Sequence, residues 1–369
     1  MSQQRRVTGK YIETTTVGES VRAFVPYPLP PEPPVLLSSK LQELLNQATA
    51  RLSELRMASL LVPNTDLFSY AFVRKEAILT SQIEGVQATL TDLLNYEAEP
   101  DQPGLGLEEV CNYLDALHFA RKQIRDPQGL PISLRLIKET HSRLMRGVRG
   151  QAKMPGEFRG SQNWIGGTRP SNAHFVPPPK TEMLECLKAL EEYLHKEDQQ
   201  HPLIRIALAH VQFETIHPFL DGNGRLGRLL IALLLENWKL LDSRLLYLSL
   251  YFKRHQTEYY RRLDAVRSTG DWENWIEFFL EGVSQSSQEA IQTSQKLFQL
   301  IETDRKRLLA SSDVVIPAIR LFELLPDHPV LTINQVIKIL KTTKPTATKA
   351  VQVLTKNGIL GNDPCSESA

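Results

Sequence analysis

Two apolar stretches with helical spacing, residues 203–216 and 225–240, are joined by His217-Pro-Phe-Leu-Asp-Gly-Asn-Gly-Arg-Leu-Gly-Arg228. This junction constrains the fold more than any other segment. Ile206, Ala209, Val211, Phe213 and Ile216 mark the first helix, and the second opens near Asn223 and stays apolar through Leu235. The longest apolar run, Leu229–Leu235, has seven residues, where a membrane span needs ~20. With 369 residues, 41% of them hydrophobic and 23% charged, the chain can fill two or three globular domains. A net charge of +1 excludes whole-molecule attraction to nucleic acid or lipid and leaves only local basic patches. Cys111, Cys186 and Cys365 are far apart and odd in number, so neither a disulfide framework nor a zinc spacing follows. The first twenty residues lack the apolar core of a secretory signal, and the expected compartment is the cytoplasm, with no membrane partner.

Helical signals dominate from residue 38 onward. Ser38 or Ser39 caps a pattern of Leu41, Leu44, Leu45, Ala48, Leu52 and Leu55 that stops near Pro63-Asn64. A second helix follows Asp66 and ends at Gly85. Pro100, Pro103, Gly104 and Gly106 mark a loop. Further helices are expected at 107–125, 133–147, 181–196, 254–268 and 271–310. Residues 26–34 hold six prolines in nine positions and read as an extended surface strap behind a short N-terminal arm. Gly166-Gly167, between short apolar runs, signals a hairpin within 160–179. The fold class is mainly α, with one or two small β elements.

The junction concentrates chemistry. A glycine-rich loop opening a helix presents unpaired N–H groups and the positive end of the helix dipole, which together favour an anion. Gly222 and Gly224 clear room for a phosphate, and Arg225 and Arg228 add two cations on one side of the first turn. Asp221 suits Mg²⁺ held jointly with phosphates, and His217 can accept a proton near neutral pH. This set describes phosphoryl or nucleotidyl transfer. Gly222-x-Gly224-x-x-Gly227 matches the dinucleotide fingerprint, but a helix rather than a strand precedes it. No Gly-Lys-Ser/Thr and no His-Glu-x-x-His occurs. His210, in mid-helix among apolar neighbours, reads as a core histidine, and the other histidines apart from His217 read the same way.

The twelve residues resemble the Fic family motif, HPFx[D/E]GNGRxxR, at every specified position. The stretch Gly156-Glu-Phe-Arg159, Gln162-Asn-Trp-Ile-Gly166 and Phe175-Val-Pro-Pro resembles the family's substrate-positioning flap. The resemblance implies a helical bundle with a β-hairpin flap and transfer of AMP from ATP to a Tyr, Thr or Ser hydroxyl of a target protein, self-modification included. It makes His217 the general base and Asp221 the Mg²⁺ ligand. Gly222, Asn223, Gly224, Leu226 and Gly227 join the ATP site, with Arg225 and Arg228 on the β and γ phosphates and Phe219 as a core anchor. Trp164, Ile165 and Gly166 would position the target, and Tyr259 and Tyr260 would border the adenine. Thr80-Ser-Gln-Ile-Glu84-Gly85 is similar to the family's inhibitory motif, [S/T]xxxE[G/N]. It implies that Glu84 forms a bidentate pair with Arg228 in place of the γ-phosphate. In some relatives the same glutamate supports removal of AMP, and that reverse activity stays open.

Residues 328–360 carry Lys338, Lys341, Lys344, Lys349 and Lys356 and no Asp or Glu. They resemble a winged helix-turn-helix, with Thr346, Thr348, Lys349 and Gln352 as an outward face toward DNA. Only nine residues follow Leu360, which leaves little length for a wing. The expected division is an N-terminal Fic-associated region at 1–100, a catalytic core at 101–285, a linking helix at 286–312 and the winged-helix-like unit at 313–369. The leading expectation is an autoinhibited adenylyltransferase. The alternatives are a DNA-binding regulator whose core senses nucleotide, and a related enzyme moving UMP, phosphocholine or phosphate. The sequence is compatible with a homodimer and does not fix the oligomeric state.

Overall fold

The N-terminal residues form a regular hairpin rather than a loose arm. In the computed structural model, which describes residues 6–61, 65–98, 106–147, 153–197, 199–241 and 246–361, β1 (Gly9–Thr16) pairs antiparallel with β2 (Glu19–Pro26), Gly9 opposite Pro26 and Thr16 opposite Glu19. Val17 and Gly18 turn the chain with φ of 50° and 76°, the sign a two-residue hairpin turn requires. Beyond β2 the proline strap runs exposed over the surface, anchored where the Leu36 N–H donates to Glu273 at 2.9 Å.

Helices then follow the expected order, with ends shifted by a few residues. They are α1 (Ser39–Leu61), α2 (Thr65–Ile83), α3 (Leu90–Ala98), α4 (Leu107–Arg125), α5 (Leu134–Leu144), α6 (Lys180–His195), α7 (Pro202–Ile216) and α8 (Asn223–Asn237). After these come α9 (Ser249–Arg254), α10 (Gln256–Thr269), α11 (Trp272–Leu309), α12 (Ile316–Leu324), α13 (Ile333–Leu340) and α14 (Lys344–Lys356). The stop expected at Pro63-Asn64, most of the loop at 100–106 and any wing beyond Gly361 lie outside the described residues. Helix α3 escaped the sequence reading although it is capped: Thr89 Oγ1 accepts the Asp92 N–H at 3.2 Å and Asp92 Oδ2 accepts the Thr89 N–H at 2.8 Å.

Helix α7 is the axis. Every residue from Leu203 to Ile216 is buried, as a helix apolar on nearly all sides should be. One apolar cluster runs from Val25 to Ala290 and joins α1, α2 and α4 to the helices around α7. A second, built on Leu308, Leu321, Val336, Leu340 and Leu354, holds α12–α14 together at the far end of α11. Among the described residues no helix is long and apolar enough to cross a membrane.

The expected flap hairpin is reduced to one bridge, Ile165 with Phe175. The loop between them folds on itself instead. Pro170–Asn172 makes a short 3-10 turn, and Asn172 Oδ1 accepts the Thr168 and Arg169 N–H groups at 3.0 Å each. Backbone groups that a second rung would use are thereby spent locally. Regular support comes from outside: the Phe24 N–H of β2 donates to the Val176 carbonyl at 2.9 Å.

Candidate active site

The junction between α7 and α8 is held from three directions. His217 ends α7 with φ 49° and ψ 61°, a left-handed conformation costly for a non-glycine residue. Its N–H donates to the Phe213 carbonyl at 3.0 Å, and its carbonyl receives the Nε–H of fully buried Arg159 at 3.0 Å. Asn223 closes the loop on itself, accepting the Phe219 N–H at 2.9 Å and donating to the Phe219 carbonyl at 2.8 Å. Buried His141 stacks on Phe219, ring centroids 3.7 Å apart. His141 Nδ1 accepts the Gly156 N–H at 2.9 Å, so the proton sits on Nε2, which donates to the Asp221 carbonyl at 3.0 Å. These contacts turn a flexible, glycine-rich sequence into a fixed one.

The glycines have separate reasons. Gly222 sits at φ 78°, and a Cβ there would lie 2.7 Å from Met145 Sδ. At Gly224 a Cβ would meet Glu84 Oε1 at 2.4 Å. The space expected for a phosphate beside Gly224 therefore holds a carboxylate. Gly227 faces the other way, where a Cβ would meet Glu214 Oε1 at 2.3 Å. It is a packing glycine, and Leu226, only 2% exposed, is a core side chain. Neither presents a side chain to a ligand, so a place in the ATP site would rest on their backbone.

The two arginines diverge. Arg228 reaches α2: its Nη2 lies 2.6 Å from Glu84 Oε1, its Nε donates to Thr80 Oγ1 at 2.7 Å, and Nη2 also donates to the Thr80 carbonyl at 3.0 Å. The expected bidentate pair is thus a single carboxylate contact, with Thr80 taking the second edge of the guanidinium. Burial alone would raise the Glu84 pKa, but the Arg228 charge outweighs it and holds the carboxyl below the usual range. Arg225 reaches α4 and α5 instead: Nη1 is 2.7 Å from Glu109 Oε2, and Nη2 is 3.5 Å from Met145 Sδ and 3.9 Å from Asp221 Oδ1. Glu109 and His141 carry no signal in the sequence, and Thr80 and Arg159 stand there only as members of the inhibitory and flap motifs, because each acts through a partner distant in the chain.

His217 has a buried Nδ1 without a partner among the described residues. Burial, reinforced by Arg267, pushes its pKa down to about 4, so at neutral pH the imidazole is uncharged with a lone pair available. Asp221 is 44% exposed at the loop edge, and its Oδ1 accepts the Gly222 N–H at 2.6 Å. Among the described residues no group of three His, Cys, Asp or Glu could hold a metal. Asp221 alone therefore suits a hard cation that arrives with phosphate oxygens as its other ligands.

Of the two tyrosines expected at the adenine, Tyr259 is 1% exposed, and its O–H donates to His210 Nε2 at 2.8 Å while His210 Nδ1–H donates to the Gly227 carbonyl at 3.2 Å. Tyr259 is thus packed in the core beneath α8. Tyr260, 46% exposed, faces outward. Trp164 packs with Val21, Ala23 and Val176 at the root of the flap, and Gly166, at φ 68°, begins its exposed tip. Asn163 ties this root to the junction by donating to the Phe219 carbonyl at 3.2 Å.

Residues 131–235 match the Fic/DOC family and residues 42–122 the Fic/DOC family N-terminal region. Relatives include proteins named "Protein adenylyltransferase Fic" from Drosophila grimshawi, 31% identical over 179 residues, and Drosophila ananassae, 30% identical over the same length. Each match covers 48% of this chain but only 32% and 31% of the relative, so the alignment spans about a third of those proteins. Among solved structures, a Fic family protein from Desulfovibrio desulfuricans is similar with a TM-score of 0.60 at 21% identity, over 92% of this chain and 96% of that one. Fic-1 from C. elegans is similar with a TM-score of 0.54 at 23% identity, over 71% and 74%. At these identities the structural likeness speaks for the fold.

Proposed function

We propose, for a chain that belongs to the Fic/DOC family through its two matched stretches, that it is a protein adenylyltransferase held off by Glu84. In this reading ATP lays its phosphates across the N–H groups of Gly222, Asn223 and Gly224 at the head of α8. A target hydroxyl oxygen attacks the α-phosphorus, its proton passes to His217, and the bond to the bridging oxygen of the leaving pyrophosphate breaks. Mg²⁺ held at Asp221 would neutralise charge on the α and β phosphates. Burial, helped by Arg267 and then Arg159, keeps the imidazole neutral before ATP arrives, and the negative phosphates raise its basicity once it does. The flap at Ile165 and Gly166 aligns the target, and Tyr260 borders the base.

One observation supports this reading above the rest. An anionic side chain already occupies the anion site, with Glu84 Oε1 packed against Gly224 and 2.6 Å from Arg228. A γ-phosphate needs the same guanidinium. While Glu84 holds it, the triphosphate is displaced and in-line attack is lost.

The test uses purified full chain, Mg²⁺ and ATP labelled at the α-phosphate, with lysate protein as target. Glu84→Gly is expected to raise label on protein about 10²-fold, the scale of a misaligned attack restored. Glu84→Gly/His217→Ala is expected to lose it again. Absence of label in the single variant would overturn the reading and favour a nucleotide-sensing regulator.

A further inference from the structure

Arg225 is enclosed between two carboxylates and leaves little of itself for a ligand. Its side chain is 5% exposed, with Glu109 on one side at 2.7 Å and Asp221 on the other at 3.9 Å. Glu109, itself 16% exposed, stands in the first turn of α4 and so belongs to the scaffold rather than to the loop. Asp221, 44% exposed, is the open end of the row. Three contacts fix that open end: Arg225 near Oδ1, the Gly222 N–H on the same oxygen at 2.6 Å, and His141 on the backbone carbonyl at 3.0 Å. Arg228 differs, because its carboxylate partner lies at a helix end, is 34% exposed and can be exchanged for another anion.

We propose that Glu109 is a positioning residue. It anchors Arg225 as a strut between α4 and the loop, and Arg225 orients the Asp221 carboxylate toward the divalent cation that a nucleotide brings. Arg225 then serves the metal side of the site, and Arg228 alone of the pair meets a phosphate. A guanidinium flanked by two carboxylates gains less from a third anion than one facing a single exchangeable carboxylate. It also lowers the mutual repulsion of Glu109 and Asp221, which lets the two carboxylates stand on either side of it. The inference rests on the adenylyl-transfer reading for the presence of a metal–nucleotide complex.

The experiment measures binding, so chemistry is not needed. Full chain carrying Glu84→Gly is titrated with Mn²⁺ in the presence of α,β-methylene-ATP, and free Mn²⁺ is followed by its electron paramagnetic resonance. Binding of the same nucleotide is measured by calorimetry with Mn²⁺ and with EDTA. Adding Glu109→Gln or, should that variant fold poorly, Glu109→Asp is expected to weaken Mn²⁺ binding about tenfold, as loss of an outer partner does. Nucleotide binding in EDTA stays unchanged. Unaltered Mn²⁺ binding in the variants would overturn the proposal. So would an equal loss of nucleotide affinity with and without metal, because Arg225 would then be gripping phosphate directly. If the Glu84→Gly parent binds no nucleotide under either condition, the adenylyl-transfer reading itself fails and takes the strut with it.

Discussion

Arg228 and Arg225 stand three residues apart on α8, and each meets a carboxylate, at 2.6 Å and 2.7 Å respectively. Glu84 sits just past the end of α2 with its side chain 34% exposed, while Glu109 sits in the opening turn of α4 at 16%. The chemistry of the two pairs is the same and the surroundings differ. Both guanidiniums are buried, but the Glu84 carboxylate, at a helix end, can swing out to water while Arg228 keeps its two bonds to Thr80. A pair enclosed by neighbouring helices resists breaking, because either charge left alone is poorly solvated. One arrangement suits a gate and the other a fixture.

The largest expected effect follows from that contrast. Glu109→Leu, which strands a buried guanidinium, should lower unfolding free energy by about 3–5 kcal/mol. Glu84→Gly also strands a buried guanidinium, but one that Thr80 still holds by two bonds, and should cost less, about 1–3 kcal/mol. Urea denaturation of the two variants beside the native chain checks this, and equal losses would erase the distinction between gate and fixture.

Acid offers a second way to separate fold from gate. Burial pushes His210, beneath the Arg228 turn of α8, down to about 3, whereas an unfolded histidine titrates near ~6.5. As pH falls below ~6.5 the unfolded chain takes up the proton first, so this contribution to stability is full above that value and shrinks on the way down. Glu84 is shifted the other way for its type: its pairing is full above the usual carboxylate range and is lost only as pH falls through its lowered value. Between pH ~6.5 and ~5 the melting temperature should lose the His210 share while Glu76 and Glu214, both pushed up to about 7 by burial, offset part of it, and label transfer by the native chain stays repressed. A flatter decline is expected in His210→Gln. Release of activity in that window would place the gate's titration elsewhere.

The smallest effect concerns Thr80. Its hydroxyl accepts from Arg228 Nε at 2.7 Å and helps to aim the guanidinium at Glu84. Thr80→Val, which keeps the shape and removes the acceptor, should raise label transfer about tenfold, the scale of one hydrogen bond to a charged group. That is less than Glu84→Gly gives, and a larger gain would mean that Thr80 rather than Glu84 dominates the hold on Arg228.

The sequence revealed what is contiguous. His217, Asp221, Asn223, Gly224 and Arg228 lie within twelve residues, and their types define an anion site before any folding is considered. The helices were legible because their apolar spacing is local. What escaped depends on pairing across the chain. Arg225 finds Glu109 from 116 residues away and Arg228 finds Thr80 from 148, and no local pattern announces either. Tyr259 and Tyr260 are adjacent in sequence, so only packing could say that the first points into the core and the second out of it. The N-terminal hairpin carries a signal, a Val-Gly turn between runs rich in β-branched and aromatic residues, beside a proline strap that has no regular pairing of its own. Gly166-Gly167 signals a hairpin, and nothing local shows that Asn172 takes the Thr168 and Arg169 N–H groups a second rung would need.

If Glu84 restrains an adenylyltransferase as proposed, the bond from Phe24 of β2 to Val176 has a practical consequence for releasing it. Trimming from the N-terminus toward Glu84 looks like the simple way to remove a restraint. The hairpin that would be cut away first also backs the loop beside the reaction centre: Phe24 bonds Val176, the Ser171 N–H donates to Glu19 at 2.8 Å, and Trp164 rests on Val21 and Ala23. A shortened protein would be unrestrained and unsupported at once, and its low activity would be mistaken for an absent enzyme. Single substitutions at residue 84 avoid that confusion, because they open the site without dismantling the wall beside it.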